Sequence, residues 1–305
     1  MYPKVAIIIL NWNGKQDSLK CLYSVSQLKY PNYEVFFVDN GSTDGSAFCI
    51  SENYPDIRII KNKKNLGFCE GNNVGMRLAL KAGAEYIFLL NNDTMVDSDV
   101  LNHLVDAGEQ NAQAGILGPK MYHLELHPGY LYSIGGKINF HEYVINSIGC
   151  NCLDFGQFNN MREVDFIIGC GLLIKKKVID EIGLLDPVYF SYFEDVDWCV
   201  RAKAKGYKVV YVPLARIWHS VAASTGGDRN PRWYYLMGRG AAMFVRKNAS
   251  WGNFLKFMFF SIAECVWVIL KKILIGYKKP IFAKMRGLRD GFLLREVNIK
   301  NLEWK

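Results

Sequence analysis

The chain has 305 residues, of which 50% are hydrophobic, and its formal net charge is +8 at pH 7. This composition excludes a disordered chain and allows one large or two small globular domains. Residues 1–228 carry 21 Lys and Arg against 25 Asp and Glu, a net −4, whereas residues 229–305 carry 16 against 4, a net +12. We therefore predict a domain at 1–228 and a basic extension at 229–305 that meets different surroundings.

Strand, loop and helix alternate through the first third of the chain. Apolar runs that predict strands lie at 5–10, 35–38, 57–62 and 86–90. The segments between them predict helices, and such alternation predicts a mostly parallel central sheet with helices on both faces, an α/β fold. Ligands bind at the carboxyl ends of the strands in these sheets, where Asn11, Asp39, Asn65 and Asp93 fall.

Beyond about residue 115 the alternation weakens. Residues 115–122, 130–140 and 166–176 predict strands of a mixed or antiparallel extension, and 208–219 predicts a further strand. A helical tail is predicted after residue 227. Its apolar core at 257–270 has one charge and is shorter than the ~20 residues that span a bilayer.

The cysteines and the N-terminus indicate the cellular compartment in which the protein is expected. The eight cysteines form no CxxC pair, and no histidine stands at zinc-finger spacing. Cys150 and Cys152 form a CxC that is typical of a strand with both thiols on one face. The N-terminus lacks the basic leader, long apolar core and cleavage site of a signal peptide. We therefore expect a cytoplasmic protein with reduced thiols.

Asp39 and the glycine-rich segment at 65–75 are both ambiguous when taken alone. Asp39 ends a buried strand and opens the turn DNGSTDG, so it could accept hydrogen bonds from a ligand's ring N–H or ribose hydroxyl, or bond its own backbone. The segment NLGFCEGNNVG fits neither a Rossmann fingerprint nor a P-loop. Its residues favour tight packing at a helix start.

Asn91-Asn92-Asp93 follows another buried strand. A single carboxylate suits Mg²⁺ or Mn²⁺ when a substrate's phosphates and water complete the octahedron. A capped turn explains the same residues equally well. His219 ends a further apolar strand, and a lone histidine there is usually structural, so it indicates a metal site only if it converges with Asp93 on one ion.

Three carboxylates, Glu194, Asp195 and Asp197, follow the aromatic run YFSYF. Acidic residues favour the first turn of a helix, and Asp197 can pair with Arg201 four residues later. That explanation fits Glu194 and Asp195 less well, because aromatic walls desolvate a carboxylate and raise its affinity for a proton, as a general base requires.

Seven stretches, in order, resemble glycosyltransferase family 2, rhamnosyltransferase-like branch. They cover about residues 4–226 and read VAIIILNWNG, VDNGSTDGS, NLGFCEGNNVG, LLNNDT, VDFIIGCGLLIKK, GLLDPVYFSYFEDVDWCVRAKAKGYKVVYVP and WHSVAAST. The resemblance implies a GT-A fold and inverting transfer of rhamnose or another hexose from a dTDP- or UDP-sugar to an acceptor hydroxyl. The product would be a cell-surface polysaccharide or glycolipid.

The resemblance also implies roles for individual residues. Asp195 corresponds to the catalytic base, with Glu194 beside it to orient substrate or loop. Asp93 and His219 would hold Mn²⁺ or Mg²⁺, although Asn91 stands where the usual Asp-x-Asp motif begins. The residues implied in donor binding are Asn11, Asp39, Asn65, Asn92, Asp93, Tyr235 and Arg239. The usual Arg-Asn pair is Arg239-Gly240 here.

The tail at 250–305 leaves two interpretations open. An interfacial helix with aromatic residues on one face and Lys or Arg around it would lie on the inner face of the cell membrane, near a lipid-linked acceptor. A helix packed on the catalytic domain or in a homodimer explains the apolar core equally well. No nucleic-acid partner is expected.

Three rival functions are weaker. A sugar-nucleotide nucleotidyltransferase would need a basic glycine-rich loop near the N-terminus, which is missing. A non-catalytic nucleotide-binding scaffold at the membrane would fit Asn91. A nicotinamide-dependent oxidoreductase lacks its glycine fingerprint.

Overall fold

The structure is a computed structural model that describes residues 2–124, 129–139, 144–220, 230–272 and 278–297. Side chains are described over the same ranges except at 262, 264–272 and 278.

The first third of the chain builds a parallel sheet. Its strands are β1 (Val5–Asn11), β2 (Tyr33–Asp39), β3 (Arg58–Lys61) and β4 (Tyr86–Asn91), and its helices are α1 (Lys15–Val25), α2 (Ser46–Asn53) and α3 (Gly67–Lys81). The strand order is β4-β1-β2-β3, all parallel. Val5–Ile9 are completely buried, which requires cover on both faces and explains why this strand reads as a continuous apolar run.

The middle of the chain extends this sheet. Its strands are β5 (Thr94–Val96), β6 (Ala114–His123), β7 (Leu131–Ser133), β8 (Gly136–Asn139), β9 (Val144–Ser147), β10 (Arg162–Val164), β11 (Gly171–Lys175) and β12 (Lys208–His219). Its helices are α4 (Val100–Gln110), α5 (Lys176–Ile182), a 3₁₀ turn at Pro187–Tyr189 and α6 (Glu194–Ala204). The full order is β10-β12-β6-β11-β4-β1-β2-β3, with β11 and β10 antiparallel to their neighbours. The predicted mixed extension is confirmed.

Two predicted strands are shorter than expected. The segment 130–140 is divided at Gly135, whose φ of +89° turns the chain, so that β7 pairs with β6 and β8 pairs with β9 in a separate hairpin. The segment 166–176 joins the main sheet only from Gly171. Residues just before it leave the ladder, and the N–H of Gly169 donates to the carboxylate of Asp195 instead.

The C-terminal region is helical, as predicted, and consists of α7 (Pro231–Asn248), α8 (Trp251–Lys272) and α9 (Lys278–Phe292). Met243, Phe244 and Val245 of α7 belong to the same buried core as the sheet. Gly287 and Gly291 let α9 approach the backbone of α7 directly, because a side chain at either position would meet a carbonyl oxygen. The division at residue 228 stays a prediction. Within the described ranges, no helix is both long enough and apolar enough to cross a bilayer.

The described cysteines are free. Seven have no disulfide partner, and Cys150 and Cys152 are exposed. The two lie in a turn after β9 and not in a strand, so the sequence interpretation of the CxC pair is corrected.

Candidate active site

Two adjoining cavities open at the carboxyl ends of the central strands. The first, of about 150 Å³, is lined in part by Trp12, Asn40, Asn65, Asn92, Asp93 and Arg232. The second, of about 510 Å³, is lined in part by Tyr132, Tyr192, Glu194, Asp195, His219 and Trp233. Phe68, Asn91 and Tyr192 belong to both walls, so the cavities form one continuous cleft.

Asn11 organises the floor of the first cavity from behind. Its side-chain Nδ2 donates to Asp39 Oδ1 at 3.1 Å and to Ser46 Oγ at 2.8 Å. Its Oδ1 accepts from Ser18 Oγ and from Asn92 Nδ2, both at 3.0 Å. The amide is completely buried and occupied by protein partners, so Asn11 positions Asp39 and Asn92 and does not line the cavity itself.

Asp39 and its neighbour Asn40 order the loop at the end of β2. Asp39 is 5% exposed and accepts from the Ser42 N–H at 3.3 Å. Asn40 donates to Asn65 Oδ1 at 3.0 Å and accepts from the Leu66 N–H at 3.0 Å, which holds Asn65 at the cavity wall. Sequence reasoning missed Asn40, although its place directly after a strand-end aspartate was the available signal.

Asp93 and His219 converge, as the metal hypothesis requires. In the ladder between β5 and β12, His219 lies opposite Thr94, and the Ser220 N–H donates to the Asp93 carbonyl at 3.0 Å. The pairing brings His219 Nε2 to 3.2 Å from Asp93 Oδ1.

These two side chains have buried polar atoms without a hydrogen-bond partner. Asp93 Oδ1 and His219 Nε2 are close but not aligned for a hydrogen bond, and His219 Nδ1 also has no partner. Buried polar atoms of this kind are rare and indicate a missing third group. A carboxylate and an imidazole both fit a divalent cation. Among the described residues no three His, Cys, Asp or Glu side chains are placed to hold one metal ion, so a bound ligand and water would have to complete the coordination.

Arg232 is a site residue that the sequence did not reveal. It stands in the first turn of α7, which begins where Asn230 Oδ1 accepts the Arg232 N–H at 2.9 Å. Its guanidinium lies over the Trp12 ring, 4.8 Å from the ring centre, and both residues line the first cavity. Burial lowers the pKa of Arg232. Because Arg232 lines the first cavity, its guanidinium can bind an anionic ligand there.

Tyr235 and Arg239 do not reach either cavity, a correction to the sequence prediction. The Tyr235 hydroxyl donates to Asp290 Oδ2 at 3.1 Å. Arg239 is 1% exposed and donates to the carbonyls of Val188 at 2.7 Å and Arg295 at 2.6 Å. Tyr235 links α7 to α9, and Arg239 links α7 to the 3₁₀ turn and to the segment that follows α9.

An unusual backbone precedes the carboxylates. Phe190, Tyr192 and Phe193 have φ values of 65°, 71° and 72°, in the left-handed region that costs a non-glycine residue about 1 kcal/mol or more. The turn is held because the Phe190 carbonyl accepts from the N–H groups of Phe68, at 2.7 Å, and Cys69, at 3.1 Å. Such strain persists only where surrounding contacts impose it, and here it places the start of α6 in the second cavity.

Asp195 and Glu194 have different environments. Asp195 Oδ2 accepts from the Gly169 N–H at 2.9 Å, and its Oδ1 accepts from the Val196 N–H at 2.8 Å. Burial raises the pKa of Asp195, and these two donors oppose the rise. Burial and the neighbouring Asp195 raise the pKa of Glu194 well above its usual range, and Glu194 Oε2 has no partner. The Gly169 and Val196 N–H groups stabilise the charged form of Asp195, whereas Glu194 Oε2 has no such donor.

Asp197 has the structural role that the sequence predicts. It is 1% exposed and pairs with Arg201 Nε at 2.8 Å, four residues along α6. It also accepts from the Tyr189 hydroxyl at 3.2 Å and pairs with Lys247 Nζ at 2.9 Å. The prediction of an i,i+4 pair is confirmed.

Both the sequence and the fold are similar to those of known proteins. Residues 3–235 match the family described as glycosyltransferase-like family 2, so the chain belongs to this family and is a glycosyltransferase. The structure superposes on a structure of GalNAc-T7 with UDP, GalNAc and Mn²⁺ with a TM-score of 0.65 at 14% identity, covering 96% of this chain and 55% of that one. The GT-A fold expected from the sequence is confirmed.

Two characterised relatives are similar over most of the chain. The low-salt glycan biosynthesis hexosyltransferase Agl10 of Haloferax volcanii is 24% identical over 299 residues, which are 95% of this chain and 92% of the relative. The N-acetylglucosaminyl-diphospho-decaprenol L-rhamnosyltransferase of Mycobacterium tuberculosis is 28% identical over 248 residues, which are 75% of this chain and 80% of the relative. The predicted resemblance to rhamnosyltransferases is confirmed at this level.

Proposed function

We propose that this glycosyltransferase moves a hexose, with rhamnose the leading candidate, from a dTDP- or UDP-sugar to an acceptor hydroxyl with inversion at the anomeric carbon. The product belongs to a polysaccharide or another glycan, since both relatives above are named for glycan or lipid-linked sugar transfer. The observation that carries the proposal is the meeting of two cavities, one with Asp93 on its wall and the other with His219 and Asp195.

Asp195 acts as the general base in this proposal. Direct displacement needs one carboxylate to take the proton of the attacking hydroxyl. The second cavity, which holds Asp195, is the acceptor site. A glycosidase would need two carboxyl groups on opposite sides of the scissile bond. Glu194 is adjacent in the chain and leaves α6 in another direction, so it does not form such a pair and instead orients the acceptor or the loop.

Asp93 and His219 would hold the divalent cation, because their buried atoms without partners fit one. Once bound, the cation would stabilise the negative charge of the departing diphosphate. An imidazole in the ligand set favours Mn²⁺ over Mg²⁺, which prefers oxygen ligands. The GalNAc-T7 structure also contains Mn²⁺. Asn91 cannot add a charge, which leaves Asp93 as the one carboxylate of the motif.

The first cavity is the donor site. Its wall beside β2 carries Asn65, held by Asn40, and we assign the nucleoside to this end. Asp39 is not in the lining of either cavity and acts on this end through the loop that it orders. Arg232, Asn92 and Asp93 also line this cavity. We assign the diphosphate to the part of the cavity beside these three residues. A guanidinium held over Trp12 presents a planar pair of N–H donors that matches phosphate oxygens.

Arg232 and Arg239 make a matched pair of variants. Arg232→Gln is expected to raise KM for the donor about tenfold or more, since a charged hydrogen bond is lost, and to leave Tm unchanged. Arg239→Gln is expected to lower Tm by several degrees, because it leaves buried carbonyls of Val188 and Arg295 without donors. Steady-state kinetics and thermal unfolding of both variants separate the two roles. An unchanged donor KM for Arg232→Gln would remove Arg232 from the donor site.

A donor screen tests the function as a whole. The full chain is incubated with UDP-, dTDP- and GDP-sugars, Mn²⁺ or Mg²⁺, and a lipid-linked or soluble saccharide acceptor. We expect nucleoside diphosphate release with one dTDP- or UDP-hexose in Mn²⁺, and a glycoside whose anomer is opposite to that of the donor. Pyrophosphate release from sugar phosphate and nucleoside triphosphate would support a nucleotidyltransferase instead. Donor binding without transfer to any acceptor would indicate a scaffold.

A further inference from the structure

The outward face of α8 is apolar, which is the reverse of an ordinary surface helix. Trp251, Leu255, Phe259 and Phe260 are 72%, 62%, 69% and 67% exposed. At 100° per residue these four side chains lie within one half of the helix circumference. Only Lys256 adds a charge to this half between residues 251 and 261. We call these four residues and Lys256 the α8 face.

The opposite side of α8 is firmly attached, so the exposure is not that of a detached helix. Phe254 is 4% exposed and stacks on Phe292 of α9, with ring centres 5.3 Å apart. Phe257 packs against Ala242 of α7 and Leu288 of α9. The α8 face is therefore the side that this fold turns away from the protein. The remainder of the predicted apolar core, at 264–270, lies outside the described side chains.

Basic residues lie on the neighbouring helix. On α9 and just after it, Arg286, Arg289 and Arg295 approach the carboxylate of Asp290 at 3.7, 2.9 and 3.5 Å. On α9, Phe282 is 60% exposed within the same basic segment. Residues 229–305 together carry +12. Exposed aromatic side chains next to excess positive charge are complementary to an anionic lipid surface.

We propose that the α8 face docks on an anionic phospholipid bilayer, with its aromatic side chains at the headgroup boundary and the surrounding Lys and Arg on the lipid phosphates. A second copy of the chain is a poorer occupant, because a two-fold contact through this face would bring two regions of +12 together. The proposal rests on α8 and α9 alone and does not depend on the proposed sugar transfer.

Vesicle co-sedimentation of the full chain tests the docking. The vesicles are phosphatidylcholine alone, or phosphatidylcholine with about a third phosphatidylglycerol. We expect binding to the anionic vesicles, weakened at high salt because the Debye length shortens. The triple variant Trp251→Ser, Leu255→Ser, Phe259→Ser is expected to bind at least about a hundredfold more weakly, because three large apolar side chains no longer move from water into the bilayer.

The matched control replaces three equally exposed aromatic residues elsewhere. Tyr23→Ser, Phe48→Ser, Phe155→Ser changes side chains that are 63%, 69% and 83% exposed, and its vesicle binding is expected to equal that of the unmodified chain. Thermal unfolding checks that both triple variants are folded. The proposal is overturned if the unmodified chain does not bind anionic vesicles, or if the α8 variant and the control variant bind them equally well. It is also overturned if sedimentation equilibrium shows that the unmodified chain and the control variant are dimers and the α8 variant is a monomer, because the α8 face would then be a dimer contact. Donor hydrolysis without vesicles is read separately, so failure of sugar transfer is distinguishable from failure of docking.

Discussion

Asp195→Asn is expected to lower kcat for sugar transfer by about 10³-fold, near the middle of the range for loss of a general base. The donor Kd is expected to stay within about twofold, because Asp195 faces the second cavity and a base acts in the transition state. Transfer kinetics at saturating acceptor and calorimetric titration with the donor measure the two quantities. Asn retains the oxygen that accepts from Gly169 but cannot take a proton.

The controls for this variant are its two neighbours on α6. Glu194→Gln keeps the size and polarity of a side chain that is not the base in this proposal, so it is expected to retain at least about a tenth of the activity. Asp197→Asn breaks the buried contacts with Arg201 and Lys247 and is expected to lower Tm while kcat is largely kept. Turnover of Asp195→Asn near that of the unmodified chain would eliminate Asp195 as the base.

The pKa shifts give the sign of two pH effects. Because burial raises the pKa of Asp195, kcat is expected to fall on the acid side with a midpoint above the ordinary aspartate value of about 3.9. Glu194 has a folded-state pKa well above its unfolded value, so the free energy of unfolding decreases as pH rises through the unfolded pKa of about 4.3. Glu194→Gln removes that loss and is expected to raise Tm at pH 7 but not at pH 4, a stability gain typical of functional carboxylates.

Asp93→Asn is expected to lower kcat/KM by about 10²-fold or more and to raise the Mn²⁺ concentration needed for half-activation. The variant turns the motif into three consecutive asparagines, so the carboxylate that lies beside His219 is lost as a ligand. Calorimetric titration of both proteins with the donor, at increasing Mn²⁺ concentrations, measures metal-dependent donor binding independently of turnover.

Asp97→Asn provides the control for the metal site. Asp97 directly follows β5, accepts from the Asp99 N–H at 3.0 Å and lies outside both cavity walls. Its replacement is expected to leave the Mn²⁺ dependence unchanged. Equal Mn²⁺ curves for Asp93→Asn and the unmodified chain would show that Asp93 is not a metal ligand.

The strand ends were the predictable part of the site. An apolar run that stops at a polar residue locates the sheet edge directly, and Asn65, Asn92, Asp93 and His219 all line the cleft as expected. The convergence of Asp93 and His219 could not be predicted from the local sequence pattern. It results from the pairing of β12 with the three-residue strand β5, and no periodicity in the sequence specifies that pairing.

The residues of α7 were the unpredictable part. Their roles depend on the rotation of the helix against α9, which is set by close backbone contact at Gly287 and Gly291 and by the buried Arg239. Sequence reasoning selected Tyr235 and Arg239 in this helix and missed Arg232, because the sequence does not say which side chain faces the cleft. One signal was available: Asn230 and Pro231 mark a helix start, and this puts Arg232 in the first turn.

Gly240 stands where the family resemblance implies Asn, and it packs directly against the turn that precedes Asp195. A Cβ atom at this position would stand 2.7 Å from the carbonyl oxygen of Tyr192 and 2.9 Å from the Phe193 ring. The resemblance to the family implies Asn at this position, and an Asn side chain would displace the left-handed turn that carries Asp195. Gly240 therefore acts at a distance in the chain on the carboxylates of α6, because it leaves the space in which the left-handed turn before them fits.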